Sequence, residues 1–582
     1  MTNYSDSLQQ RRRLLALQAL LVGICVLIGL RLVYLQILQH GRYAAMANSA
    51  HQRQYEIPAK RGEIFIRDGE VKVPLALNQT MKLLYADPSV IHNKPKTALL
   101  LAGATGDQPE GYMKALEQGG AYVVLKRKID APTAQKISAL NLKGVGLRDQ
   151  DYRVYPEGAL GSQVLGFVNT EGNGQYGIEG FLNLQLKGVS GLQKAKTDTN
   201  GIPIATAGNT LKKPVDGTSY VLTIDRNIQA QVEKFLKEGV DNFKAKSGSV
   251  IVMDPKTGAV KAMANYPNFD PNEYGKTKDF KVFSNESVSS QFEPGSGFKI
   301  YTMAAGLDSG KIKTDTTYDD TGSYEVDGYT IKNAHDKKSG PNTPMTHIIR
   351  DSLNTGVIFI LRSMGTDATK ITPAAKQSFY EYITKRFGFG VRTGIEQAYE
   401  AQGNVNPPKS SNVNYANMTF GQGVSVTMIQ MVTAASAIAN GGKLYQPYLV
   451  DQAIASDGNV VSKTQPKVIR DKVISEQAAR ETRAMMQVVV ERGSGWMAKT
   501  PGYNIAGKTG TAQVPKLDGK GYEENKNIGS FVGFAPTEDP RFVVIVRVSE
   551  PQTNDFAEKT TVPVFANITR WLLKYYAIAP SG

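Results

Sequence analysis

The chain carries one cysteine, Cys25, so no disulfide can close within it. Its five histidines, His40, His51, His92, His335 and His347, fall in no H-E-x-x-H or other metal-ligand spacing. That argues against a zinc or iron centre, and no metal or other cofactor is expected. No G-x-S-x-G occurs, which removes the nucleophile elbow of the α/β-hydrolases. Internal repeats and low-complexity tracts are also missing. Any chemistry must therefore rest on hydroxyls, lysines, carboxylates and amides. What is present is ordinary globular composition, 41% apolar and 21% charged over 582 residues, enough for two or more domains. Lys and Arg number 68 against 53 Asp and Glu, a net charge of +15. Such an excess suits an acidic polymer, an anionic membrane face or nucleic acid.

Leu14 to Leu30 is free of charge, and the apolar run resumes as Leu32–Leu38 after Arg31, which can snorkel to the interface. This is long enough to span a bilayer. Arg11, Arg12 and Arg13 at its amino edge place the N-terminus in the cytoplasm and the rest of the chain outside. Ala45-Met46-Ala47 resembles a signal-peptide cleavage box, but it lies too far beyond an overlong apolar core, so a retained anchor is expected. Cys25 falls within the run and reads as a small buried hydrophobe.

Beyond the anchor, residues 52–78 read as short extended pieces and 94–147 as mixed helix and loop. Residues 151–247 are rich in turn signals, among them Gly172-Asn173-Gly174 and Asp198-Thr199-Asn200-Gly201, and predict an irregular β-rich module. Ile228–Phe243 has helical apolar spacing and suits the opening helix of a further domain. Gly248–Met253 and Ala259–Ala264 flank Asp254-Pro255-Lys256-Thr257-Gly258 and predict a hairpin. A mainly helical stretch follows, then strands over Ile505–Val514, Asn527–Phe534 and Phe542–Val548, and a closing helix from about Val562 to Tyr576. Two strands, a helical insert, three strands and a helix suggest one antiparallel sheet built from both ends of a domain.

Glu293-Pro294-Gly295-Ser296-Gly297-Phe298-Lys299 opens a nearly all-apolar segment, hence a buried helix starting at Ser296. Three residues apart, Ser296 and Lys299 share a face, and a lysine depressed by burial can serve as base to a serine. This is the only S-x-x-K in the chain. Ser352-Leu353-Asn354 is an S-x-N at a helix junction; a second copy, Ser410-Ser411-Asn412, sits in a Pro- and Asn-rich loop and reads as a solvated turn. Lys508-Thr509-Gly510 is a K-T-G whose duplicate, Lys256-Thr257-Gly258, occupies the hairpin turn. Gly502 to Thr509 also fits the P-loop pattern, yet lacks the preceding strand and following helix that a phosphate cradle needs.

S-x-x-K, S-x-N and K-T-G in this order are far more specific than any one of them. On these motifs, and on segments such as Arg153-Val154-Tyr155-Pro156-Glu157-Gly158, Phe420-Gly421-Gln422-Gly423 and Gly533-Phe534-Ala535-Pro536, the chain resembles class B penicillin-binding proteins. The glycosyltransferase signature E-D-x-x-F-x-x-H of class A is missing. The resemblance implies an α+β architecture: a cytoplasmic tail over 1–13, a transmembrane anchor over 14–38, an elongated β-rich pedestal or dimerisation-type domain over 39–247, and a transpeptidase domain over 248–582. That last domain would hold a five-stranded antiparallel sheet with packed helices and an inserted helical subdomain.

It further implies Ser296 as the acylated nucleophile, Lys299 as its base, Ser352 as proton relay and Asn354 as orienter. Lys508, Thr509, Gly510 and Thr511 would hold the substrate carboxylate, with the backbone N–H groups of Ser296 and Thr511 as oxyanion hole. Stem pentapeptides and lipid-linked nascent glycan are the implied substrates and β-lactams the covalent inhibitors; nucleic acid is not an expected partner. Lys508 to Gln513 and the absence of appended C-terminal modules resemble the division-specific FtsI type, implying a septal, single-pass protein of the cytoplasmic membrane with a periplasmic or extracytoplasmic bulk, partnered by an FtsW-like polymerase and other divisome proteins. Three positions depart from the family pattern: Ile66 replaces an acid, Gln163 a frequent histidine, and Gly297 a threonine or valine. A D,D-carboxypeptidase or β-lactamase-type hydrolase shares the three motifs, and Glu400 with Asn404 has the spacing of a β-lactamase loop; a structural role for Glu400 is favoured. A β-lactam-acylated membrane sensor is the third reading.

Overall fold

The structure, a computed structural model, describes residues 3–43, 46, 52–196, 210–516, 521–553 and 556–580. Ala45 and Ala47 and the 198–201 turn signal lie outside them. Two compact units are formed, residues 1–60 with 188–216, and residues 61–187 with 217–582.

The first unit contains helix α1 (Asn3–Val33), continued by a π-helical turn over Tyr34–Leu38, and a small antiparallel sheet of Gln52–Ile57, Gly191–Lys196 and Thr210–Lys212. Gln10–Leu38, 29 residues whose most apolar 18-residue window has mean hydropathy 2.3, is long and apolar enough to cross a membrane, at about 43 Å by helical rise. Its apolar side chains are exposed, Cys25 among them. Arg31 spreads its guanidinium over the Tyr34 ring, 5.5 Å from the centroid.

In the second unit the 16-residue strand Val71–Ala86 pairs through its first residues, 71–76, with Ile64–Asp68, and through its later residues it lies between Val123–Ile129 on one side and Val145–Val154 on the other. Three helices, Lys94–Thr105, Pro109–Glu117 and Ala131–Ala139, supply Leu101, Leu116 and Ile137 to a core with Leu84. These helices fall within 94–147, expected as mixed helix and loop, where two strands also form; the helices give one face of the long strand its apolar cover. Ser219–Asp225 adds parallel to Ile64–Asp68, and Val450–Ile454 and Val460–Lys463, from deep within the chain, extend the sheet beyond it. Arg67 is paired with Asp451 from that addition (2.6 Å), while Ile66, at the position where an acid was the family pattern, is fully buried.

The second sheet has strands β1 (Ser247–Met253), β2 (Val260–Tyr266), β3 (Ala506–Pro515), β4 (Tyr522–Ala535) and β5 (Phe542–Ser549) in the antiparallel order β2-β1-β5-β4-β3. Alternate residues split between two cores: Val250, Val252, Val544 and Val546 face helices α2 (Arg226–Asn242) and a long C-terminal helix, Ala557–Tyr575, whereas Ile251, Met253, Val543 and Ile545 join the core of the inserted helices. Burial on both faces explains the unbroken apolar run of β5. Although the expected limit at 247 leaves α2 with the pedestal, its residues Ile228, Val232, Leu236 and Val240 pack on this sheet. The C-terminal helix begins five residues before the expected Val562 and runs through Pro563. The insert, expected as mainly helical, also contains small ladders over Thr317–Pro344 and Leu444–Arg470. Its helices α3 (Lys299–Asp308), α4 (Asn354–Ser363) and α5 (Met428–Ala439) pack beneath the sheet.

Glu179, fully buried, binds Arg61 (2.6 Å) and Arg153 (2.7 Å), one carboxylate neutralising two guanidinium groups. Removing the partner of a buried charge is costly. Glu179→Gln is expected to lower unfolding free energy by about 3–5 kcal/mol, read from denaturant midpoints of the full-length protein; an unchanged midpoint would show that water already reaches the cluster.

Candidate active site

Ser296 sits in a 3-10 turn, Gly295–Phe298, that leads into α3, so the helix proper starts at Lys299 and not at the serine as expected. The turn is wedged against β3, the edge strand of the sheet. A β-carbon on Gly510 would stand 2.4 Å from Pro294 O, and one on Gly295, which has φ 53°, 2.4 Å from Thr511 O. Only glycine permits this approach, which sets the nucleophile loop alongside Lys508–Thr511. Gly297 has no such demand: a β-carbon there meets only ordinary contacts, the nearest Met431 Cε at 3.4 Å.

Lys299 is fully buried on α3. Its Nζ donates to Ser352 O (2.6 Å) and Asn354 Oδ1 (2.8 Å) and lies 3.2 Å from Ser352 Oγ. Lys508, also fully buried, approaches the same Ser352 Oγ from β3 at 3.1 Å. Thus the structure brings Lys299, Ser352, Asn354 and Lys508 into one hydrogen-bonded cluster. Ser296 Oγ makes no hydrogen bond within the described residues.

Burial, then the charges of Lys508 and Lys337, holds the Lys299 amine well below the usual lysine range. Burial, then Lys337, pulls Lys508 down to about 7, with Asp351 opposing. A neutral Lys299 has two N–H donors and one lone pair. Ser352 O and Asn354 Oδ1 can only accept, so they take both donors and leave the lone pair for a proton donor. Lys508 as ammonium then donates to the Ser352 hydroxyl oxygen.

Ser352 is held at φ 60°, a left-handed conformation rare outside glycine, with both its oxygens on Lys299. Asn354 is fixed through Nδ2 to Lys332 O (2.8 Å). Behind it, Thr355 donates to Asp320 (2.8 Å), and Asn333 bridges Asp320 and the Thr355 amide. The Thr509 hydroxyl pairs with that of Ser494 at 2.7 Å, and Thr511 is exposed on the free edge of β3. Sequence reasoning missed Ser494, Lys337 and the Asp320–Asn333 brace. Gly493-Ser494-Gly495 at the end of a helical run was a readable sign for the first; nothing in the sequence marks the other two.

The competing motifs separate cleanly. Ser411 is exposed, and its hydroxyl caps the helix Asn412–Met418. Lys256-Thr257-Gly258 lies in the β1–β2 hairpin turn, and Gly502–Thr509 leads into a strand, with no helix to cradle phosphate. Glu400 is consumed in holding a turn, accepting from Thr393 N and Oγ1 (both 2.6 Å) and Gly394 N (3.0 Å).

Residues 248–570 match the penicillin binding protein transpeptidase domain, and 56–222 the penicillin-binding protein dimerisation domain. The chain is 34% identical to stage V sporulation protein D of Bacillus subtilis over 98% of its own length and 86% of that protein's. To the peptidoglycan D,D-transpeptidase FtsI of Escherichia coli it is 29% identical, covering 97% and 92%. Penicillin binding protein 3 of Mycobacterium tuberculosis, solved with aztreonam, superposes with TM-score 0.70 at 27% identity, over 91% of this chain and 98% of that one.

With 13C-labelled lysine, the Cε signal that disappears in Lys508→Arg is expected to titrate near pH 7 in the full-length protein. A midpoint in the ordinary range, near 10.5, would mean that the amine is solvated.

Proposed function

The chain belongs to the class B penicillin-binding proteins and is a serine-type peptidoglycan D,D-transpeptidase; from this premise we propose which residues carry the reaction and where it serves the cell. The observation that carries the assignment is the convergence of two buried lysines on the Ser352 hydroxyl. Lys299, its amine held well below the usual lysine range by burial, takes the proton of Ser296 Oγ as that oxygen attacks the penultimate D-alanine carbonyl. The Ser296 and Thr511 amides receive the oxyanion, a role whose loss typically costs about 10²- to 10³-fold. Ser352 passes the proton from Lys299 to the departing D-alanine, and Asn354 keeps the base oriented. Lys508, with Thr509, Gly510 and Thr511, binds the terminal carboxylate along the edge of β3. An amine of a neighbouring stem peptide then displaces Ser296 and closes the cross-link.

The anchor is a single-pass span with the tail over 1–13 cytoplasmic, supported by Arg11–Arg13 and by the bare apolar surface of α1. The setting is septal wall synthesis beside an FtsW-like polymerase and other divisome proteins; Lys508 to Gln513 and the extended likeness to FtsI support this, while the sporulation relative marks the competing setting. A tagged copy is expected at the division site, and lateral or sporulation-restricted signal would remove the septal assignment.

Fluorescent penicillin is expected to label the wild type stably and Ser296→Ala not at all; equal labelling would end the nucleophile assignment, and release within seconds would indicate a hydrolase. Acylation rate should fall on acidification as Lys299 gains a proton, and fall again above about pH 7 as Lys508 loses its charge. Lys508→Arg, always charged, should abolish the basic limb while keeping the acidic one.

A further inference from the structure

A cavity of about 260 Å³ opens on the far side of α5 from the catalytic cluster, between Phe387–Gly388, the 391–393 loop, α5 and the Leu444–Arg470 ladder. Its walls combine apolar surface from Phe387, Val391, Leu444 and Ile469 with the side chains of Arg392, Lys467 and Arg470. None of the three cations has an ion pair or side-chain hydrogen bond among the described residues, and no lining residue is acidic. Thr433 on α5 also lines the cavity.

We propose that this cavity is a binding site for a small amphipathic monoanion: an apolar group of about benzyl size ending in a carboxylate. The volume is slightly below the roughly 300–1,000 Å³ of sites for drug-sized molecules, so it suits a fragment of that kind. A carboxylate matches the planar donor fork of Arg470, the half-buried member of the cationic trio. The apolar part lies against Phe387 and Leu444. The site is separate from the catalytic cluster but adjoins its support. Phe387 packs edge-on against Tyr301 of α3, 5.4 Å between centroids, and the Tyr301 hydroxyl donates to Met431 O on α5.

Full-length protein in detergent, titrated with 3-(4-fluorophenyl)propionate and followed by 19F line broadening, tests the site. Saturable binding is expected, with the uncharged amide of the probe and the Arg470→Gln variant each about tenfold weaker, the loss of one charge-assisted contact. Retained labelling of the variant by fluorescent penicillin shows that its catalytic domain is folded. Absence of binding at millimolar probe, equal affinity for acid and amide, or equal affinity of wild type and Arg470→Gln would overturn the proposal.

Discussion

Two ammonium groups cannot share one buried hydroxyl cheaply. Lys299 and Lys508 both reach Ser352 Oγ, at 3.2 and 3.1 Å, with no carboxylate bonded to either. Coulomb repulsion at that spacing, with little water to screen it, favours one charge on the pair. The surrounding structure makes the choice between them: two acceptors, Ser352 O and Asn354 Oδ1, take both hydrogens of a neutral Lys299, leaving the positive charge on the sheet side. One buried cluster thereby sets Lys299 beside the Ser296 turn and Lys508 beside the free strand edge. Linkage gives the cost a sign. Because the folded pKa of Lys508 lies below its unfolded value, the unfolded chain binds more protons between about pH 7 and the ordinary lysine range, so stability rises with pH across that window.

Much of the architecture serves to hold that cluster. The sheet supplies a stiff edge at β3, and glycine at positions 295 and 510 lets the serine turn press against it. The strained Ser352 backbone is held by α4 and by the Asp320–Asn333–Thr355 brace from the small Thr317–Pro344 ladder. Lys299 to Leu307 of α3 are buried, so the Lys299 amine is held away from bulk solvent.

The catalytic residue types were legible because their spacing is chemical. Ser296 and Lys299 are neighbours on one turn, and the glycines around them announce a close backbone approach. The sheet was legible too, since apolar runs at both ends of the domain demand pairing. Other features were not. Lys337 acts on both lysines by charge at a distance, which no local pattern encodes. The long pedestal strand Val71–Ala86 hid because its burial changes two residues at a time, with no period-two alternation to read. The start of the C-terminal helix was misplaced because Pro563 reads as a boundary, although the helix continues through it. Val450–Ile454 could not be assigned at all, because its partner, Ser219–Asp225, lies more than two hundred residues away.

That last pairing has a practical meaning. A hairpin from the catalytic half completes the sheet of the pedestal half, and Arg67 with Asp451 pins it there. The two halves are stitched, not merely joined by a linker. A catalytic fragment cut near residue 247 would carry Val450–Ile454 away from its partner and display a raw strand edge, the kind of surface on which chains stack and precipitate. For the same reason, proteolytic nicking between the halves need not release them, since the hairpin would keep them clasped as a non-covalent pair.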